Sequence, residues 1–482
     1  MTEAIAETVL PGTYIEVRSE GLIGVGGIAT GNVGIVGTAA RGPTGKVVEL
    51  DSAATAQDVF GPSDGLLDRA AGAPPPLTLT RGLELAFAGG ARKVFAVRIA
   101  NGTPAAASVA ITAANTPAQF VVSAGPPGDR PAGEPDPDAG SWGNALTVQL
   151  VKGLADVVTL TVALGNRREA FTGKTLNDMQ AALAASRLVH VSTGVDSVAA
   201  VGEVAAPKPL AGGTDGPAAT ALDVAAGLAA LEDRAVNIVT VPGFGADAVK
   251  GVVGAHVERT ENDARERIAV VGVTNPGSPT DVSAPVAEAG GVSDDRMVLV
   301  APGLTVIDRP TGRVAPLGAS YLAAVVAGKL ATLAPHVSLT NKTVPVDELT
   351  VDYKSGTTET LLTNRMLVVR KRFGFQVVRS VTTELGAFKE VSIRRIVDFA
   401  KAGVRLGADP YIGKLNNARV RAALKATLDG FLSQMVLDEM LTGYELDVSA
   451  TRRQEIDGVC VVTMTLQPTF SINVVRVTMN LQ

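Results

Sequence analysis

Short apolar runs broken by glycine and polar turns fill the first hundred residues. Val33-Gly34-Ile35-Val36-Gly37, Val47-Val48-Glu49-Leu50 and Val94-Phe95-Ala96-Val97-Arg98-Ile99 are too short for helices and rich in β-branched residues, so they predict strands. Leu83 to Ala88 predicts a short helix ended by Gly89-Gly90. From Asn101 the pattern loosens: a Pro/Gly/Asp loop spans Gly125 to Gly140, strands are predicted at Leu146–Val151 and Val157–Leu164, and a helix at Leu176–Ala185. After a turn-rich stretch from Pro207 to Pro217, helix and strand patterns alternate. Helices Ala221–Leu231 and Ala246–Arg265 interleave with strands Val236–Val241, Ile268–Val273 and Met297–Val300, which implies a small, largely parallel sheet covered by helices. In the last third, Val391, Ile396, Ala400 and Val404 recur at helical spacing, with Arg394, Arg395, Asp398, Lys401 and Arg405 on the polar face. Asn416-Asn417 offers an N-cap for a second helix striped by Val420, Leu424, Leu428, Phe431 and Met435, and Val459–Leu466 predicts a strand.

The two chain ends alternate like strands. Thr13 to Val17 follows Pro11-Gly12, and in Ile472 to Leu481 the residues Val475, Val477, Met479 and Leu481 share a face opposite Arg476, Thr478 and Asn480. A strand must pair its backbone groups, so each end either completes its own domain's sheet or adds to the sheet edge of another subunit. The fold class is α+β with an α/β portion. The segments are a 1–20 arm, a 21–100 first part of the core, a 101–215 mostly β insertion, a 216–335 α/β domain, a 336–460 helical α+β domain and a 461–482 β arm.

A length of 482 residues suits about three domains. Glycine (52) and proline (27) make up about one residue in six, which favours many turns over a helical bundle. With aromatics at 4%, the core must be Val, Leu, Ile and Ala. A net charge of -5 without a basic domain argues against nucleic-acid binding. Cys460 is the one cysteine, so no intrachain disulfide forms. Met1 to Leu10 carries Glu3 and Glu7 and no basic residue, which predicts no signal peptide. The apolar stretch Tyr321–Ala327 stops at Gly328-Lys329, too short for direct membrane insertion. The chain is therefore expected to fold in the cytoplasm.

Candidate chemistry changes the picture little. His190, His256 and His336 are far apart, lack partners at metal-ligand spacing, and read as surface or half-buried residues. Cys460 lies in an apolar run and reads as a buried thiol. Gly24-Val25-Gly26-Gly27-Ile28-Ala29 fits a dinucleotide fingerprint with Glu49 downstream, but Thr30-Gly31-Asn32-Val33 is a poor helix opening. Asp294-Asp295 and Asp438-Glu439 read as solvated faces. The expectation is no catalytic, cofactor or metal site.

Ordered segments carry a family resemblance. Pro11-Gly12-Thr13-Tyr14-Ile15-Glu16 is similar to an N-terminal Pro-Gly-Val-Tyr-Ile-Glu signature, and Gly34 to Pro43 to Gly-x-Val-Gly-x-x-x-Arg-Gly-Pro. Val59-Phe60-Gly61, Phe87 to Arg98, Ser141-Trp142-Gly143-Asn144, Leu228 to Pro242, Arg394-Arg395-Ile396 and the helix from Asn416 resemble later blocks of the same family. The chain resembles the contractile tail sheath proteins of phages and injection systems; positions 101 to 215 match least. The resemblance implies a multidomain subunit with extended N- and C-terminal β arms that forms stacked hexameric rings with copies of itself around an inner tube protein. Baseplate and cap proteins would be further partners, and the product a phage tail or tail-like particle. Contraction of this helical homo-oligomer would drive the tube through a target envelope. On that reading Tyr14, Ile15 and Val17 belong to one intersubunit arm, and Val475, Val477, Met479 and Leu481 to the other. Arg394, Arg395, Lys401, Arg405 and Lys414 would face the tube, with a solvated helix face as the competing reading. Another structural subunit of a phage-like particle and a nucleotide-binding α/β enzyme are the alternatives.

Overall fold

The computed structural model describes residues 27–69, 73–112, 119–126, 138–154, 157–191 and 204–481. The chain divides into two compact units, one built from Ala29–Arg394 with Ile472–Gln482 and another containing Arg395–Ser471.

The first unit opens with β1 (Val33–Gly37), β2 (Val47–Leu50), α1 (Ala53–Phe60), α2 (Leu79–Gly89) and β3 (Val94–Arg98). Gly90 ends α2 at φ 112°, where a side chain would be strained. Next come β4 (Ser108–Thr112), β5 (Gln119–Ala124), β6 (Thr147–Lys152), β7 (Val158–Leu164), β8 (Arg167–Gly173), α3 (Leu176–Leu183), β9 (Val189–Val191) and β10 (Val204–Pro209). These strands form two antiparallel sheets, β4-β5-β9 and β10-β6-β7-β8, around a core that includes Trp142, Leu146, Leu160 and Met179. β8 has no sequence signal because it is an edge strand whose outward positions, such as Arg168, are polar.

The chain continues with α4 (Ala221–Ala230), β11 (Ile238–Thr240), α5 (Ala246–Asn262), β12 (Ile268–Gly272), α6 (Ser283–Gly290), β13 (Met297–Ala301), β14 (Leu304–Ile307), β15 (Val314–Leu317), α7 (Ala319–Ala331), β16 (Glu348–Leu349), α8 (Ser355–Thr363), β17 (Met366–Lys371) and β18 (Phe375–Val377). The central sheet has eight strands in the order β18-β17-β13-β12-β11-β1-β3-β2, parallel except for the antiparallel edges β18 and β2. It is covered on both faces. Val33, Ile35, Val270 and Val300 pack with α2 and α7, while Val36, Val97, Val271 and Leu299 pack with α4 and α5. Two buried faces explain why β1, β3, β12 and β13 read as continuous apolar runs. At Gly272 the backbone of Ala319 and Ser320 stands where a β-carbon would be, so α7 lies close on β12.

Two expected boundaries move. β1 pairs in parallel with β11, Val33 opposite Ile238, so the 21–100 segment belongs to the same sheet as the α/β segment. β17 pairs in parallel with β13, Leu299 opposite Met366, so the division placed at 336 falls between Arg394 and Arg395 instead. Parallel pairing joins strands distant in sequence through crossovers, and local periodicity carries no trace of it.

α9 (Val391–Ala408) leads into the second unit, which holds α10 (Ala418–Leu437), β19 (Leu441–Ser449), α11 (Arg452–Ile456) and β20 (Val461–Pro468). Asn417 caps α10, its Oδ1 accepting from Val420 N at 3.0 Å. Of the predicted stripe, Leu424, Leu428, Phe431 and Met435 are buried and Val420 is half-buried. The Phe431 ring lies 5.8 Å from that of Phe399 and fills the space left by Gly403. β19 and β20 pair antiparallel from Ser449 opposite Val461 to Leu441 opposite Pro468.

Candidate functional site

The C-terminal run begins where β20 ends. Thr469 N still donates to Met440 O at 3.0 Å, but residues 469–481 form no strand. Val475, Val477, Met479 and Leu481 are 73% to 100% exposed. The expected 461–482 arm therefore splits: 461–468 is half of a hairpin, and the run without a ladder is confined to 469–481. Alternation alone cannot make a strand; a backbone ladder is needed, and among the described residues this run joins none. Tyr14, Ile15 and Val17 lie outside the described residues.

The basic helix face is not one surface. Arg394 is 3% exposed, its guanidinium 2.7 Å from Asp295 Oδ2 and 4.3 Å from the centre of the Phe388 ring. Arg395 is also buried; burial pushes its pKa down to about 10, against the opposing pull of Asp398. These two are corrected from tube-facing candidates to internal residues, because every residue of the first turn of α9 is buried. Lys401 is half-buried, and Arg405 and Lys414 are exposed, the Lys414 ammonium 4.6 Å from the centre of the Tyr411 ring. Arg394→Ala should lower folding stability by about 2 kcal/mol, since it strips a half-buried carboxylate of its partner. Urea denaturation checks this; an unchanged midpoint would return Arg394 to the surface.

Motif residues from distant positions meet at one junction. The Arg41 guanidinium lies 4.4 Å from the centre of the Trp142 ring, and its Nε donates to Asp138 Oδ1 at 3.1 Å. Arg98, fully buried at the end of β3, donates from Nη1 to Gly42 O and Ala139 O at 2.7 Å each, and lies 3.4 Å from Asp215. Burial lowers the Arg98 pKa, with Asp215 and then Asp138 opposing. Asp215 also accepts from Ser141 N at 2.9 Å. These residues staple the base of the inserted β domain to the central sheet, a structural task. A cleft of about 960 Å³ beside them is lined by Arg41, Trp142, Arg187 and Asp215, among others.

Elsewhere the side chains that invited chemistry do other work. His256 is 1% exposed, which corrects the surface reading: its Nε2 lies 2.8 Å from Arg267 Nη1 inside the α/β core. His190 Nδ1 lies 2.9 Å from Gly125 O, and His336 is half-buried. Cys460 is exposed, not buried, because it precedes β20 on an uncovered face of the hairpin. Asp294 is partly buried, and burial raises its pKa. Residues 27–32 run into β1 without a helix, and Gly24, Val25 and Gly26 lie outside the described residues. Among the described residues no group of three His, Cys, Asp or Glu side chains could hold a metal, and no helix is long and apolar enough to cross a membrane. Sequence reasoning missed Arg98 and Arg267 as internal anchors; each charge touching an apolar strand run was the available signal.

Comparison with known proteins bears on the whole chain. The model of the phage tail sheath protein central domain matches residues 217–383, and that of the phage tail sheath C-terminal domain matches residues 386–482. A tail sheath protein of Mycobacterium phage Bxz1 is 24% identical over 253 residues, which is 50% of this chain and 42% of that protein, so the match spans less than half of the relative's length. The crystal structure of a sheath tail protein from Desulfitobacterium hafniense shares the fold with a TM-score of 0.66 at 19% identity, over 95% of this chain and 100% of that one. The helical sheath of the anti-feeding prophage in its contracted state gives a TM-score of 0.56 at 12% identity, over 98% and 99%. Two adjoining domain models cover more than half of the sequence between them, from α4 to the end of the chain, and the chain belongs to the phage tail sheath family.

Proposed function

We propose that the chain polymerises as stacked rings around an inner tube and shortens to drive that tube through a target envelope, as a structural component of a phage tail or tail-like particle. One observation carries this reading: among the described residues the chain holds unused capacity for strand pairing. Among the described residues β19 and β20 form a sheet of two strands with no further strand on either edge, and such a sheet is marginal alone. Residues 469–481 supply an alternating run that forms no strand ladder among the described residues. A donor run and acceptor edges in one chain suit exchange between copies, and a head-to-tail exchange builds rings or an open helical array rather than a closed dimer. The anti-feeding prophage relative, described as a helical sheath in a contracted state, supports that array.

Tyr14, Ile15 and Val17 would join the exchange from the other end, with Val475, Val477, Met479 and Leu481 the apolar face of the C-terminal strand. Assembly begins at a baseplate and ends at a cap protein. Contraction is a shift between two packings of one sequence, with the difference stored during assembly. Lys401, Arg405 and Lys414 are the bases left to meet the tube. Electron microscopy of the chain expressed with its tube protein should reveal long decorated tubes; discrete monomers or dimers would overturn the reading. Reversing the charge of Lys401, Arg405 and Lys414 together should abolish decoration of the tube while leaving the chain folded. Undiminished decoration would remove these residues from the tube interface.

A further inference from the structure

The C-terminal run is exposed along its length except near its root. Asn473 is half-buried between Ile472 and Val474, which are 82% and 74% exposed. Its Nδ2 donates to Glu390 Oε1 at 2.7 Å, and its Oδ1 accepts from Thr340 Oγ1 at 3.4 Å. Thr340 is itself fixed to the main chain, its Oγ1 accepting from Ser380 N at 3.2 Å. Glu390 is 4% exposed, with the Arg379 guanidinium 4.0 Å from Oε1. Among the described residues Glu390 Oε2 and the buried hydroxyls of Ser380 and Ser392 have no hydrogen-bond partner.

This pocket is built for a side chain that donates and accepts at once, which an amide does. A buried carboxylate short of partners is destabilising, so Glu390 gains more from the Asn473 amide than an exposed acceptor would. We infer that Asn473 is a positioning residue that anchors the root of the C-terminal arm, so that Val474 to Leu481 leave the subunit from one fixed point. The inference rests on the arm reading above. Ordering the root before a neighbour arrives reduces the entropy lost when the strand adds. The anchor also opposes a competing fold. Only Thr469-Phe470-Ser471 and Ile472 separate β20 from Asn473, a spacing short enough for a hairpin return onto β20. That return is not made, and Asn473 is bonded to Glu390 and Thr340 instead. The arm is thereby kept available to another copy.

Asn473→Asp sets a second carboxylate against Glu390 and should break the anchor. Adding Glu390→Gln supplies an amide that donates to the introduced carboxylate and re-forms the pair with roles reversed. The critical concentration for sheath assembly should rise about tenfold in the single variant and return to within about twofold of wild type in the double variant. Amide exchange at 472–474 in the unassembled chain should speed up and recover in parallel. A single variant that assembles and exchanges like wild type overturns the anchor, as does a double variant no better than the single. Removal of Ile472–Gln482 separates the two levels. A truncated chain that still assembles rejects the arm itself, whereas a truncated chain that fails beside a normal Asn473→Asp variant rejects only the anchor.

Discussion

Deleting Ile472–Gln482 should leave a folded, soluble monomer that builds no sheath. None of the residues 472–481 belongs to a core cluster, and among them only Asn473 is half-buried while the others are exposed, so the monomer should lose less than about 2 kcal/mol of stability. The loss of assembly should be far larger. Burying Val475, Val477, Met479 and Leu481 on a neighbour contributes about 1.5–3 kcal/mol each, while ordering each backbone residue of the run costs about 1–2 kcal/mol. Side-chain burial alone therefore does not beat the ordering entropy. The balance turns favourable only with ladder hydrogen bonds at about 1 kcal/mol each, so the run must add as a strand and not dock loosely. A net gain of even 3 kcal/mol per subunit corresponds to roughly 100-fold in affinity. Size-exclusion chromatography with negative-stain microscopy measures this, and normal sheaths from the truncated chain would reject the arm assignment.

Acid should weaken the central α/β core through His256. Burial, and then the positive charges of Arg267 and Arg259, push its pKa down to about 3 from an ordinary value of 6.5. The neutral ring is the form that fits, because Nε2 must accept from the Arg267 guanidinium at 2.8 Å. Arg267 is held in turn by the carbonyls of Leu231, Glu232 and Arg234, and Glu232 Oε1 lies 3.9 Å from His256 Nδ1 and 2.7 Å from Arg259. Proton counting gives the sign. Below pH 6.5 the unfolded chain binds a proton at this position that the folded chain refuses until about pH 3. Stability from this group is therefore complete above pH 6.5, declines as pH falls toward 3, and is flat below, with a total change of up to about 5 kcal/mol. His256→Gln keeps an acceptor for Arg267 and removes the titration. Hydrogen exchange of Ile268–Gly272 between about pH 7 and about pH 4.5 should accelerate more in wild type than in the variant. Equal pH slopes would place the proton elsewhere.

The resemblance reached a conclusion that the residues alone could not. Alternating ends, an α/β stretch and a helical last third leave several structural proteins open. The ordered motifs narrowed them, and the structure shows what some of those motifs do: Arg41, Gly42, Arg98 and Trp142 converge on the base of the inserted domain. The tube-facing reading failed in part for a physical reason. A helix wheel sorts residues into polar and apolar faces, but a charged position can still be interior when a partner such as Asp295 and an aromatic ring such as Phe388 await it.

Local pattern determined about half of the elements by itself. The apolar runs of β1, β3, β12 and β13, the Gly90 stop of α2, the Asn417 cap and the stripe of α10 come from side-chain periodicity and backbone preference, which act over a few residues. Only the tertiary structure decided that β1 pairs with β11 and β17 with β13, that the chain divides within α9, that Arg394 and His256 are interior while Cys460 is not, and that Asn473 is tied to Glu390. Those outcomes depend on which surfaces meet across hundreds of residues, and burial, pairing and ion-pair choice are properties of the meeting surfaces rather than of any one of them.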